Sequence, residues 1–273
     1  MKIIYQIGEI VKSGKGFHLT FPPFFDTIYP NTKESGIGMK EYSVCAVIVA
    51  AGKGERMGCD KMMLPLEGVP CIARTMLAFQ KAETVNSIVA VTRPEIREEI
   101  ETMAREYGIT KLAAVTGGGG CRQESVLCGV AHAPAGTEFY CIHDGARPFV
   151  KPEEIDRVNR AAFDLGGAFC GTRVKDTIKK LDGNGYVVKT PKRADLVAAA
   201  TPQTFDAALY RNAAEMFRKE LSGFTDDASI FEAAGLKVGF VECSYGNIKI
   251  TTPEDMAVAE KIMSAYKKDG SDG

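Results

Sequence analysis

The run Val44-Cys-Ala-Val-Ile-Val-Ala50 carries no charged side chain, and it passes directly into Ala51-Gly-Lys-Gly-Glu-Arg-Met-Gly58. A strand that is apolar on both faces must be covered on both faces, which is the situation of a strand inside a parallel sheet sandwiched by helices. The rest of the chain supplies both partners. Apolar runs predict further strands at 87–92, 112–116, 139–143 and 167–172. Helical patterning fills the intervals at about 71–81, from Pro94 to about 107, at 123–131 and from Pro152 onward. Helices over 205–221 and 227–234, a strand over 237–242 and an extended stretch at 247–251 complete the pattern. Thr252-Pro-Glu-Asp255 then opens a last helix, with Thr as cap, Pro at the first position and acids in the first turn. This βαβα order predicts an α/β, doubly wound, mostly parallel sheet. Ligands on such a sheet bind at the carboxyl ends of its strands.

Two segments break the rhythm. Residues 173–192 read as two extended stretches around the turn Asp182-Gly-Asn-Gly185, with lysines interleaved among Val174, Ile178, Leu181, Tyr186, Val187 and Val188. A lone hairpin is marginal in water, so this one is expected to pack on a partner subunit. Residues 1–42 contain the Pro-broken aromatic stretch Phe21-Pro-Pro-Phe-Phe25 and lack a basic region followed by an apolar core, so they read as a non-core extension and not a targeting peptide. The main domain is expected at 43–268, with its arm at about 173–193 and a tail at 269–273.

Composition narrows the function. Of the 273 residues 45% are hydrophobic, enough for a full core, and the formal net charge is −1, which leaves no overall basic field for nucleic acid or an anionic membrane. The 8 cysteines include no CxxC pair, so zinc is not expected, and reduced cytoplasmic thiols are. No apolar run reaches the roughly 18–20 residues of a membrane span.

The loop after the first strand is the sharpest chemical signal. Its glycines let backbone N–H groups approach phosphate oxygens, Arg56 offers a fork of donors, and Lys61 offers a compact charge. It lacks the Lys-Ser/Thr of a Walker loop. The spacing Gly52, Gly54, Gly58 is not the GxGxxG of dinucleotide folds, and Thr92-Arg93 stand where such a fold places an acid. Gly117–Gly120, at the end of the third strand, present backbone groups to a base edge. Asp144, after His143 at the end of the fourth strand, suits a ribose hydroxyl, a Mg²⁺ shell or the capping of its own turn. His143 reads as structural, Arg147 as a local ion-pair former, and Arg122 as a brace or a direct ligand. Lys249 lies between Ile248 and Ile250, so strand alternation points it away from the core they enter. Asp226 and Asp227 read as helix caps or metal-shell groups.

The loop resembles the AAGxGxRM…K signature of the nucleotidyltransferases, and more closely that of the 2-C-methyl-D-erythritol 4-phosphate cytidylyltransferases. Further blocks resemble that family in order: Gly118-Gly-Gly-Cys-Arg-Gln-Glu-Ser-Val126, His143-Asp-Gly-Ala-Arg-Pro148, Val174-Lys-Asp-Thr-Ile178, Thr201-Pro-Gln203, Thr225-Asp-Asp-Ala-Ser229 and Asn247-Ile-Lys-Ile-Thr-Thr-Pro-Glu-Asp255. The resemblance covers about 43–265. It implies a Rossmann-like nucleotidyltransferase sheet whose hairpin arm makes a homodimer with shared sites, and Mg²⁺-dependent transfer of CMP from CTP to 2-C-methyl-D-erythritol 4-phosphate, with release of pyrophosphate, in isoprenoid precursor synthesis. It also implies residue roles. Ala50, Ala51, Gly52, Lys53, Gly54, Gly119, Gly120, Ser125 and Asp144 would hold the nucleotide, with Asp144 the candidate metal contact. Arg56, Lys61, Arg193 and Lys249 would be catalytic, and Thr177, Arg193 and Lys249 would hold the acceptor. A ribitol-5-phosphate cytidylyltransferase shares this plan, while a catalytically silent nucleotide-binding module and an NAD-dependent dehydrogenase are rivals of other classes.

Overall fold

The computed structural model describes residues 41–52 and 60–268; the expectations for residues 1–40, the tail and the loop residues Lys53, Gly54 and Arg56 lie outside these, whereas Tyr42, counted with the extension, packs its ring on Phe139 and Phe163 of the main domain. Seven strands make one sheet. In chain order the first is β1 (Val44–Val49), and a small two-stranded ribbon, β2 (Pro65–Leu66) with β3 (Val69–Pro70), leads into helix α1 (Cys71–Lys81). β4 (Ser87–Thr92), α2 (Arg97–Glu106), β5 (Leu112–Gly117), α3 (Arg122–Ala131), β6 (Phe139–Asp144), α4 (Pro152–Leu165) and β7 (Gly167–Arg173) follow. Pro94 opens a short 3₁₀ turn, and α2 itself starts at Arg97.

Beyond the arm strands β8 (Lys180–Leu181) and β9 (Val187–Lys189) lie β10 (Val197–Asp206), α5 (Ala207–Met216), α6 (Asp227–Ala233), β11 (Gly239–Glu242) and α7 (Pro253–Lys268). The spatial order of the large sheet is β11-β7-β10-β6-β1-β4-β5. All its neighbours run parallel except β10, which is antiparallel to both β6 and β7.

β10 is a difference from the sequence pattern, which predicts a helix from 205 and no strand before it. Pro202 explains the difference. A proline cannot donate to a ladder and is confined to edges and bulges, and here it sits where the β10–β7 register slips, between Ala199 and Gln203. The helix begins only at Ala207, where Asp206 caps it by accepting from the N–H groups of Ala208 and Leu209.

Strand alternation builds two cores. Val44, Ala46 and Ile48 of β1 face α1, α2 and α4, where Met76, Phe79, Ile100 and Ile155 are buried. Cys45 and Val47 face α3, α5 and α6, with Val126, Tyr210 and Phe231. The helices therefore cover both faces, as the doubly apolar first strand requires. Gly129 lets α3 lie close on the sheet: a Cβ there would meet Val47 at 2.4 Å and Val91 at 2.7 Å. α4 is delimited by Pro152 at its start, by Glu154 accepting from the Lys151 N–H at 3.1 Å, and by Gly166 at φ 80°.

The arm is a short hairpin, as the turn sequence predicts. Asp182 accepts from the N–H groups of Asn184 and Tyr186, both at 2.9 Å, and Gly185 takes the positive φ of 87°. Ile178, Leu181, Tyr186, Val187 and Val188 are all exposed on it.

Candidate active site

The carboxyl ends of β1, β5 and β6 open onto one cleft of about 550 Å³. Its lining includes Ala51, Gly52, Lys61, Gly119, Gly120, Arg122, Ser125, Asp144 and Lys249. Residues nearly two hundred positions apart in the sequence thus meet where a doubly wound sheet places its ligands.

The Gly-rich turn after β5 folds back on the first turn of α3. Gly119 donates its N–H to Ser125 Oγ at 3.0 Å, and Gly120 donates to a Glu124 carboxylate oxygen at 2.7 Å. These two donors are engaged within the chain, so the reading of this turn as a row of donors for a base is narrowed. Ser125 is buried and its hydroxyl also donates to the Cys121 carbonyl at 2.9 Å, which makes it a brace of the turn as well as part of the cleft wall. A Cβ on Gly118 would lie 2.4 Å from that of Ala51, so glycine is what lets the β5 turn approach the end of β1.

Asp144 is the electrostatic centre. One of its oxygens accepts from Arg122 Nε at 3.0 Å; the other is 2.9 Å from Lys249 Nζ and 3.4 Å from Arg147 Nε. Its N–H donates to Thr201 Oγ1 at 3.0 Å. Burial alone would push its carboxyl up, but Arg122, Lys249 and Arg147 hold it well below the ordinary carboxylate range. Arg122 is shared with the fully buried Asp227, at 2.7 Å, and Asp227 in turn accepts from Tyr210 Oη at 2.7 Å. The chain Lys249–Asp144–Arg122–Asp227–Tyr210 therefore ties the cleft to the second core. Asp226, beside it, caps α6 by accepting from the Ser229 N–H at 3.0 Å, so of the two acids one is a cap and the other an arginine partner.

Ile250 is fully buried, with its N–H on the Ala146 carbonyl at 2.9 Å, and Ile248 packs in the same small core. Lys249 between them reaches Asp144 and the cleft, the direction that alternation implies. Thr177 and Arg193 are exposed on the arm segment and do not line the cleft of their own chain; Arg193 donates to the Lys175 carbonyl at 2.9 Å.

No local pattern marks the roles of Tyr210 or Arg93, and none pairs Asp227 with its arginine. Asp227 lies in the Thr225-Asp-Asp-Ala-Ser229 block, which marks it as a candidate, but its arginine is 105 residues away.

Among the described residues no group of three or more His, Cys, Asp or Glu side chains could cage a metal. Asp144 offers one anionic carboxylate at the cleft. Both of its oxygens are engaged by Arg122, Lys249 and Arg147, so it would hold a hard cation only by sharing an oxygen with them, the remaining ligands coming from phosphate and water as is usual for Mg²⁺.

His143 is the structural group expected. Burial pushes its imidazole down to about 3, its Nε2 lies 3.2 Å from the Arg147 carbonyl, and its ring packs on Phe79 at 4.9 Å. The unfolded chain takes up a proton below about pH 6.5 that the folded chain refuses. Stability is therefore full above that pH and falls as pH drops toward 3, by about 1.4 kcal/mol per pH unit from this one group. Urea unfolding of the wild type and of His143→Gln between pH 7 and 4 is expected to show a shallower slope in the variant. Equal slopes would remove His143 from the acid sensitivity.

Residues 44–265 match the family of 2-C-methyl-D-erythritol 4-phosphate cytidylyltransferases. The chain belongs to this family. A 2-C-methyl-D-erythritol 4-phosphate cytidylyltransferase of Bacillus mycoides is 41% identical over 224 residues, 81% of this chain and 98% of that protein. The Geobacillus kaustophilus protein of the same name is 43% identical over 222 residues, 81% of this chain and 96% of its own. Among solved structures, 4-diphosphocytidyl-2C-methyl-D-erythritol synthase of Anaerococcus prevotii superposes with a TM-score of 0.74 at 28% identity, covering 82% of this chain and 97% of that one. The Thermus thermophilus 2-C-methyl-D-erythritol 4-phosphate cytidylyltransferase gives 0.66 at 30% identity, covering 82% and 100%. The chain is thus a nucleotidyltransferase of the cytidylyl-transferring kind, on the mostly parallel α/β sheet that its sequence pattern predicts.

Proposed function

We propose that this chain transfers CMP from CTP to 2-C-methyl-D-erythritol 4-phosphate with release of pyrophosphate, in a cleft completed by the arm of a second copy. The observation that carries the reading is the cleft itself: Lys61, Arg122 and Lys249 converge with the glycine-lined ends of β1 and β5 in a chain of this family. The names of the relatives favour methylerythritol phosphate over ribitol phosphate as acceptor.

The chemistry asks little beyond placement and charge. The acceptor's phosphate monoester is already an anionic nucleophile at neutral pH, so no general base is required. An oxygen of that phosphate bonds to the α-phosphorus of CTP, the bond from the α-phosphorus to its bridging oxygen breaks, and pyrophosphate leaves. The obstacle is mutual repulsion of anions, which fixed cations relieve. Lys61, with Arg56, serves the triphosphate. Lys249, held by Asp144, serves the α-phosphate or the incoming phosphate. Asp144 would be the protein contact of a Mg²⁺ ion bound with the triphosphate, which would further neutralise phosphate charge.

Thr177 and Arg193 enter the partner's cleft and hold the acceptor phosphate. In support of that arrangement, the arm's large apolar side chains are exposed, and a twofold-related copy would cover them. The proposal also places the enzyme in the cytoplasm. In keeping with that, the described cysteines are thiols, and no described helix is long and apolar enough to cross a membrane.

The test is pyrophosphate release with each of the four nucleoside triphosphates against a panel of polyol phosphates. CTP with methylerythritol phosphate is expected to lead, and the rate to vanish on chelation of divalent cations. Preferential use of ribitol phosphate would move the acceptor, and use of no triphosphate would end the enzymatic reading.

A further inference from the structure

Arg93 follows the last residue of β4, immediately before Pro94. A residue before proline is confined to extended backbone, and Arg93 takes φ −77°, ψ 148°. That conformation sends its side chain across the carboxyl end of β1. One guanidinium nitrogen pairs with the Asp60 carboxylate, and the other lies 3.4 Å from the Gly52 carbonyl oxygen. Asp60 is the organising residue of the turn that bears Lys61. Its second carboxylate oxygen accepts from the Met62 N–H at 3.1 Å, and its carbonyl accepts from the Met63 N–H at 3.1 Å. Met62 is buried and accepts from the Ile72 N–H at 3.1 Å, so the turn is anchored to α1 on its far side.

Lys61 thus sits between two fixed points, the core under Met62 and the guanidinium on Asp60. Arg93 is not among the residues that line the cleft, whereas Gly52 and Lys61 are. We propose that Arg93 is a positioning residue for phosphate transfer, holding the Asp60 turn against Gly52 so that Lys61 is aimed into the cleft. The proposal rests on the reading of Lys61 as a ligand of the triphosphate. A guanidinium is suited to the task because its rigid planar fork fixes the relative direction of bonds made from two separate nitrogens, whereas an ammonium donates from a single freely rotating nitrogen.

The experiment is a double-mutant cycle on kcat/KM for CTP, with wild type, Arg93→Met, Lys61→Ala and the double variant, accompanied by thermal unfolding of each. Arg93→Met is expected to lower kcat/KM roughly ten- to a hundredfold, the range for losing hydrogen bonds to a charged group. In the Lys61→Ala background the same change is expected to cost little, because there is no lysine left to aim. Arg93→Lys keeps a charge opposite Asp60 but gives up Gly52, so an intermediate value is expected; should Arg93→Met fail to fold, the cycle is read with Arg93→Lys. Near wild-type kcat/KM in Arg93→Met, or a loss that adds in full to that of Lys61→Ala, overturns the inference and leaves Lys61 in place. Undiminished kcat/KM in Lys61→Ala overturns the reading of Lys61 and this inference with it.

Discussion

Replacing Lys61 by alanine is expected to lower turnover by roughly 10²–10³ with the fold intact, the typical cost of removing one preorganised group that meets developing charge. Lys61 lines the cleft together with two other cations, Arg122 and Lys249. Arg122 is divided between Asp144 and Asp227, and Lys249 is paired with Asp144. Those pairs fix the cations in place but spend part of their field on a protein carboxylate. The loss of Lys61 therefore removes one of the cations that line the cleft, where fixed positive charge meets the triphosphate. Steady-state kinetics with CTP and methylerythritol phosphate checks this, alongside the unfolding midpoint. Near-normal turnover in a folded Lys61→Ala protein would remove this lysine from the mechanism.

Mixed dimers are expected to recover activity that neither parent has. Each cleft is read as combining Lys61 of one copy with Arg193 of the other. In one chain Arg193 is exposed on the arm, away from the lining of its own cleft. Co-expression of an Arg193→Ala chain with a Lys61→Ala chain, each under a different tag, yields heterodimers. If sites are shared across a twofold axis, one cleft of the heterodimer carries both defects and the other carries neither, so about half of the wild-type activity returns. If Arg193 serves the cleft of its own chain, every cleft keeps one defect and the purified heterodimer stays as inactive as its parents. The arm is also expected to be inert without its partner, because a two-stranded ribbon has little to bury alone.

Much of the sheet is legible in the sequence, because burial on both faces leaves a local mark. β1 is a continuous apolar run, and β4 and β6 have apolar centres with Ser87, Thr92, His143 and Asp144 at their ends. β10 leaves no such mark. Thr201, Gln203 and Thr204 are buried polar residues in its interior, and Pro202 reads as loop. Their polarity is satisfied by distant partners: Thr201 by the Asp144 N–H, Gln203 by Asp226 and the Ala228 N–H, Thr204 by Asn159. A pattern that depends on partners elsewhere in the chain cannot be read within a short window.

The candidate site divides in the same way. Lys249 is legible because alternation with two isoleucines is local. Asp144 is legible as a strand-end acid, but its three cations come from α3, from its own turn and from the segment before α7. Arg93 meets Asp60 across 33 residues, and Arg122 meets Asp227 across 105. The topology brings these pairs together, so their meaning appears only once the strand order is known.

The most direct measurement follows the nucleotide itself. Incubation with CTP labelled at the α-phosphate, methylerythritol 4-phosphate and Mg²⁺ is expected to move the label into a cytidine diphosphate-linked polyol, with unlabelled pyrophosphate released in equal amount. Label that stays in CTP, or that appears only as free CMP whether or not the polyol phosphate is present, would contradict the account.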